Sequence, residues 1–338
     1  MRIAFLVKGL DTPRTRYRVT QYLPYLEEKG AAAKVIDIPH SPVKRWSVFQ
    51  TLGNYDVVVI QKKLFSILDF HLLRKRVRRL IFDVDDAVMV KPGPVPHESW
   101  RRRRRFERTV KGCDLVFAGN SYLSSMVGNL GARSILVPTC IDLDRYPAPD
   151  HKRSRGDRIL HLGWIGSRST LPHLADLAPV FLGLSKTSMP MDLTIICDTF
   201  LDNVGIPVRK KTWSKNTEVA DLMELDVGLA PLPEDAWTRG KSATKVIQYM
   251  AAGLPVVCSP VGANADIVRD GVTGYYARNP DEWVDNILHL AKDPEARARM
   301  GREGRKLVED SYSVQAVFPS MYVGLEGCSG FPESGGLT

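Results

Sequence analysis

GKSATKVIQYMAAGLPVVCSPVGANADIVRDGVTG, residues 240–274, reads as a loop, a helix opening near Ala243, a glycine stop at Gly253 and a buried strand, LPVVCS (254–259). A helix that stops on glycine and runs at once into an uncharged, β-branched strand is the unit from which covered parallel sheets are built. The same alternation extends in both directions. Upstream, RILHLGWIG (158–166) is a strand entering a glycine-containing loop, and LTIIC (193–197) and VGLAP (227–231) are further strands. Downstream, 281–292, 294–310 and 314–325 carry helical periodicity.

The first half repeats the plan. RIAFLV (2–7), AKVIDI (33–38), DVVVIQ (56–61), RLIFDV (79–84), LVFAG (115–119) and SILVP (134–138) are short apolar runs. Between them lie a helix with Val19, Tyr22, Leu23 and Leu26 on one face, closing near Gly30, and another through 64–79. PAPDHKRSRGD (147–157) is Pro-rich, charged and aperiodic, hence a linker. The expected fold is therefore α/β, with two Rossmann-like domains facing a central cleft. The expected domains are 1–150, 151–313, and a helix at 314–338 packing back toward the first domain before a small polar tail. Ligands of such sheets bind outside the carboxyl ends of the strands. Oxidoreductases, epimerases and glycosyltransferases all share this plan. Gly9 stands alone after the first strand, with no GxGxxG, which disfavours a dinucleotide enzyme.

Composition excludes several classes. The chain has 338 residues, 44% apolar and 25% charged, which is globular and neither disordered nor fibrous. No run approaches the roughly 20 apolar residues of a membrane span, and MRIAFLVKGL reads as a strand without a cleavage site. The five cysteines (113, 140, 197, 258, 328) form no CxxC pair, so a reducing cytoplasm is expected and a zinc or disulfide framework is not. Charge is uneven: 26 Lys and Arg face 15 Asp and Glu in residues 1–150, against 21 and 23 afterwards. Two domains with different partners fit that asymmetry.

At the 243 helix mouth, the amides of Ala243 and Thr244 and the helix dipole make an anion site. Lys241 just before it and Lys245 one turn inside suit a diphosphate, or else form a solvated lysine pair. RKRVRR (74–79) and WRRRRRFER (100–108) exceed what solubility needs. Anionic phospholipid, an extended anionic acceptor or nucleic acid fits the charge, and nucleic acid ranks last because no nucleic-acid module accompanies it. His161 lacks metal spacing and reads as core or surface, and Trp164 either lines the cleft or packs.

AAGLPVV, its small-residue loop and IVRDGVTGYY resemble the donor-binding half of retaining glycosyltransferases of family 4, which have the GT-B fold. RYRVTQYLPYLEEKG, DLVFAGNSYLSSM, ILVPTCIDLDRY, GWIGSRSTLPHL and the segment from DGVTGYY to EDSYS resemble further family elements in the expected order. The resemblance implies transfer of a sugar from a nucleoside diphosphate donor to a sugar, lipid-linked or other hydroxyl acceptor, with retention and without a metal. No cofactor is implied beyond the nucleotide-sugar co-substrate. Two other readings stand beside it: an inactive nucleotide-binding or scaffolding protein, and a nucleotide-sugar epimerase.

The resemblance also places site residues. Of the family's two glutamates, the one that takes the ribose hydroxyls falls on Gln248 and the one that contacts the donor sugar falls on Gly240. Glu234 or Asp235 is the expected substitute for the second of these. Gly166 and Arg168 lie in the loop opening the second domain. Arg168 with Lys241 and Lys245 replaces the usual diphosphate cations. Asp85 falls where relatives carry a histidine near the donor sugar, and is otherwise a loop carboxylate paired with an arginine. Gly9 falls where relatives place a glycine against the diphosphate, followed by Arg14, Arg16 and Arg18. Asp83-Val84-Asp85 spells the Asp-x-Asp of metal-dependent enzymes, a three-residue match too short to imply a metal. The expected location is cytoplasmic, with peripheral contact at the inner membrane face through Arg101–Arg105.

Overall fold

In the computed structural model the strands β1 (Arg2–Val7), β2 (Ala32–Asp37), β3 (Val57–Gln61) and β4 (Leu80–Val84) follow the apolar runs closely. A short ribbon, β5 (Val90–Lys91) with β6 (His97–Glu98), precedes β7 (Leu115–Ala118) and β8 (Ser134–Leu136). The description covers residues 1–91, 97–149 and 159–329. Most of the expected linker and the polar tail beyond 329 lie outside it. Contacts divide the chain into two compact units. The first comprises Met1–Cys140, Asp235–Ser242 and Val314–Thr338, and the second Ile141–Glu234 and Ala243–Ser313. Residues 141–149, assigned from sequence to the first domain, and 235–242, assigned to the second, thus each fall in the other unit.

The first unit holds a parallel six-stranded sheet in the order β2-β1-β3-β4-β7-β8. Val57–Ile60 and Leu80–Val84 are buried throughout, as strands covered on both faces must be. On one face the helix Val314–Ser329 supplies Val314, Val317, Phe318, Met321 and Leu325 to a core with Ile3, Phe5, Val7 and Tyr22. The expected single helix after β1 is broken into Pro13–Arg18, a 3-10 turn Thr20–Tyr22 and Leu23–Glu28. Pro24 sits in the first turn of the last piece, where its missing N–H is tolerated.

The second unit has β9 (Leu160–Ile165), β10 (Met191–Cys197), β11 (Val208–Thr212), β12 (Val227–Ala230), β13 (Val256–Cys258) and β14 (Gly274–Tyr276). They form a parallel sheet in the order β11-β10-β9-β12-β13-β14. Its switch point, where the order reverses, lies between β9 and β12. The helix Thr244–Ala251 precedes β13, as the sequence pattern predicts. β11 and β14 were not anticipated. VRKKT has one apolar residue and an exposed edge, and GYY is too short to show alternation.

Candidate active site

Within the second unit the carboxyl ends of β9 and β12 are held together by one phenol. The Tyr249 hydroxyl accepts from the Ile165 amide (3.0 Å) and donates to the Leu229 carbonyl (3.1 Å), beyond the last ladder pair Gly228–Gly163. Gly228 lets the ring in, since a Cβ there would lie 2.3 Å from Tyr249 Cγ. Trp164 is fully buried beside it, its ring edge 2.3 Å from where a Cβ on Gly166 would be. The Lys245 ammonium stands 4.4 Å from the centroid of that indole. The fold thus brings Gly166 and Lys245 together through Trp164 at the switch point. Ala243 opens the helix in the left-handed region (φ 48°) without a side-chain cap, and Thr244 is its first residue. Gln248 is buried one turn further on. Arg168 is exposed and turned to the end of β10, its amide donating to Asp198 Oδ1 (3.2 Å) and its Nε to Thr199 Oγ1 (3.0 Å).

The first unit carries a separate charged cluster after β3 and β4. Lys62, a non-glycine residue at φ 55°, reaches Asp85 Oδ1 (2.9 Å) and Asp86 Oδ2 (3.5 Å). Burial would raise the Asp85 carboxyl, but Lys62 and then Arg18 hold it below the usual carboxylate range. Burial likewise works against the Lys62 ammonium, and Asp85 and Asp86 outweigh it, so Lys62 stays charged above its ordinary value. Arg14 is near enough to add to the field on both Lys62 and Asp85. Arg18 forms a buried fork on Asp83 and donates to the Val137 carbonyl (2.6 Å). Each aspartate of the Asp-x-Asp pair therefore has its own cation, and the pair does not fit a divalent ion. Lys62 was missed in the sequence, where QKK after a strand looks like any polar loop.

Lys241 belongs to this unit. Its ammonium lies 3.5 Å from the Trp237 ring centroid and is lowered in pKa, chiefly by burial and also by Lys62, with Asp86 in opposition. Lys241 thus sits on Trp237 in the first unit, and Lys245 on Trp164 in the second. Asn120 holds the Lys241 and Arg239 carbonyls (3.0 and 3.3 Å) while capping its own helix. Asp235, one of the two candidates for the donor sugar, closes a turn: its Oδ1 accepts from the Trp237 and Thr238 amides (2.7 and 2.8 Å).

At Gly9 (φ 86°) the carbonyl takes the Thr15 hydroxyl (2.7 Å), and the amide donates to Asp37 (2.8 Å). Arg16 folds onto Tyr17, 4.4 Å from the ring centroid. His161 is a core residue, paired with Asp192 at 2.9 Å. A cavity of about 400 Å³ near Ile159, Leu184, Met189 and Ile206 lies at the amino ends of β9 and β10, with Asp192 in its wall.

Residues 239–307 match the family model described as Glycosyl transferases group 1. A stretch of 73 residues is 34% identical to spore coat protein SA of Bacillus subtilis, 21% of this chain and 19% of that protein. The chain thus spans about a fifth of the length of the curated relatives it matches. Sucrose-phosphate synthase from Thermosynechococcus elongatus superposes with a TM-score of 0.75 at 14% identity, covering 96% of this chain and 99% of that one. The chain has the GT-B fold. Anabaena HepE in complex with UDP and glucose gives 0.68 at 14% identity, over 97% and 100% of the two chains. At such identities the likeness carries the GT-B architecture, and the chemistry must be argued from side chains.

Proposed function

We propose that this GT-B protein is a glycosyltransferase that moves a sugar from a nucleoside diphosphate donor to an acceptor hydroxyl, with retention and without a metal. The observation that carries the reading is Lys245 over Trp164 beside Gly166, at the switch point of the second unit and inside the matched family segment. A cation and the first turn of the helix Thr244–Ala251 suit the leaving diphosphate, by charge-assisted contact and dipole. The HepE complex with UDP and glucose supports a uridine nucleotide as the first donor to try. The acceptor would dock on the basic first unit, where the Asp85–Lys62 pair offers a fixed carboxylate. In transfer with retention the leaving phosphate takes the proton of the attacking hydroxyl on the same face, so no further base is required.

Arg101–Arg105 are all exposed on the helix Trp100–Gly112, and Arg104 stacks 4.3 Å above the exposed Trp100 ring. Among the described residues no helix is long and apolar enough to cross a membrane. Peripheral contact with anionic lipid through this helix belongs to the proposal.

The test is calorimetric titration with UDP, GDP and ADP, followed by transfer of labelled sugar from the donor whose nucleotide binds. Binding with transfer is expected. Binding without transfer to any of a panel of acceptors would favour the inactive reading, which the absence of a glutamate at Gly240 supports. Release of an isomerised sugar without acceptor would favour the epimerase.

A further inference from the structure

Lys8 follows β1, Ile38, Pro39 and His40 follow β2, and Lys63 comes two residues after β3. With Arg45 they line a cavity of about 70 Å³ at the carboxyl ends of three neighbouring strands of the first unit. A water needs about 10–15 Å³ of such space, so the cavity holds several waters or one oxyanion. Arg45 is fixed in its wall: Nη1 donates to the Pro39 and His40 carbonyls (both 3.1 Å), and Nη2 to Asp69 Oδ2 (2.9 Å). Its buried Nε finds no acceptor among the described residues. Asp69 is already occupied, by Arg45 and by the Trp46 indole (2.9 Å).

The cations exceed the anions. Half-buried Lys63 is disfavoured as an ammonium first by burial and then by Lys8, Arg45 and Arg105, with Asp69 in opposition. A folded chain that gathers three cations around a polar cavity at a sheet's switch point, with a guanidinium already braced, has the makings of an oxyanion site. It is separate from the Lys62–Asp85–Asp86 cluster, because Lys62 and Lys63 diverge at the left-handed turn.

We propose that Lys8, Arg45 and Lys63 form an anion subsite on the first unit that takes a phosphate group carried by the acceptor. That the phosphate belongs to an acceptor rests on the glycosyltransferase reading; that the cavity binds an oxyanion does not.

The experiment is calorimetric titration of the full chain with inorganic phosphate and with glycerol 3-phosphate, for the wild type, Lys8→Met/Lys63→Met and Lys245→Met. Lys245→Met should lose nucleoside diphosphate affinity and still bind phosphate at the Lys8–Arg45–Lys63 cavity. The double variant should bind it at least about tenfold more weakly, the loss of a charge-assisted contact, while its nucleoside diphosphate affinity is unchanged. Without phosphate, Lys63→Met should melt at or above the wild-type temperature, since it removes a crowded cation. Equal phosphate affinity in the double variant and wild type would overturn the subsite. Binding of inorganic phosphate that glycerol 3-phosphate fails to displace would overturn its assignment to an acceptor. If no nucleoside diphosphate binds while the phosphate result holds, the glycosyltransferase reading falls and the subsite stands. Should the double variant fail to fold, Lys63→Gln alone gives the same comparison.

Discussion

A Cβ placed on Gly240 would lie 2.6 Å from both the Cβ and the amide nitrogen of Ala87. Both residues belong to the first unit, and both are buried. The glutamate that the family resemblance expects at 240 is therefore excluded by packing. Gly240→Glu, intended to restore it, should lower the melting temperature and add no activity. Gly240→Ala should cost about 1–3 kcal/mol as an overpacking change. Ala87→Gly in the same chain should recover part of it. A Gly240→Ala protein as stable as the wild type in denaturant titration would contradict this packing.

Lys62 and Asp85 make a second test, through pH. Their side chains are 18% and 7% exposed, so Lys62→Met leaves a buried carboxylate beside Asp83 and Asp86. Removing one partner of such a pair costs about 3–5 kcal/mol. In the wild type the folded Asp85 carboxyl is held below its unfolded value, so its contribution is present above the unfolded value and lost as pH falls through the folded one. In Lys62→Met burial dominates and the folded value rises above the unfolded one, reversing the sign. The gap in stability between the two proteins should therefore narrow from pH 7 to pH 4. Urea titrations at both pH values measure it, and a constant gap would show that Asp85 is not the group left uncompensated.

Much of this was legible along the chain. Strands such as VVVI and LIFDV are buried on both faces, so their hydrophobicity is continuous and local, and so is the alternation that gives the fold. The helix before β13 is marked by its own Gly253 stop. What escaped depends on distant partners. Nothing local says that Lys62 turns left-handed onto Asp85, or that residues 235–242 pack with the first unit. Nothing local says that the Tyr249 hydroxyl replaces a rung between β9 and β12. The turn that Asp235 closes escaped too, because a carboxylate near a binding segment looks the same whether it meets a sugar or closes its own turn.

Tyr249→Phe should remove the acceptor of the Ile165 amide and a donor to the Leu229 carbonyl, both at the switch point. A buried amide left without a partner costs about 1–3 kcal/mol. As a positioning residue, Tyr249 should also affect donor affinity more than acceptor KM, because it fixes the end of β9 that carries Trp164 and Gly166. Melting curves and nucleotide titrations read the two effects. Loss of stability with fully retained donor affinity would reduce the phenol to a packing role.

Lys241 and Lys245 should separate functionally. Lys245→Met removes the cation over Trp164 in the second unit, and nucleoside diphosphate affinity should fall about tenfold to hundredfold, as for one charge-assisted hydrogen bond. Lys241→Met changes a lysine already disfavoured by burial in the first unit. It should lower transfer while leaving affinity for the free nucleotide within about threefold, well under one such bond. Titration of both variants decides. Equal binding by Lys245→Met and the wild type would remove the diphosphate from the helix mouth.

The arginine helix makes the last prediction, because its five arginines are not equivalent. Arg103 is committed to Glu98 (2.9 Å) and to Glu107 (3.0 Å), and Arg102 donates to the Val90 carbonyl (3.0 Å). Arg101 and Arg104 are exposed, the latter over Trp100. If the helix docks on anionic lipid at about 1 kcal/mol per basic residue near the surface, Arg101→Gln/Arg104→Gln should weaken binding to phosphatidylglycerol vesicles about thirtyfold. Arg103→Gln should matter less, since its charge is already met locally by Glu98 and Glu107 and is turned away from the lipid-facing pair. Trp100→Ser should weaken binding further by removing the interfacial ring. Binding should vanish on phosphatidylcholine and fall steeply with salt, because exposed charges are screened within about 8 Å at physiological ionic strength. Sedimentation with vesicles of both compositions measures all of this, and equal losses for Arg103→Gln and the double variant would show that total charge, and not this face of the helix, sets the interaction.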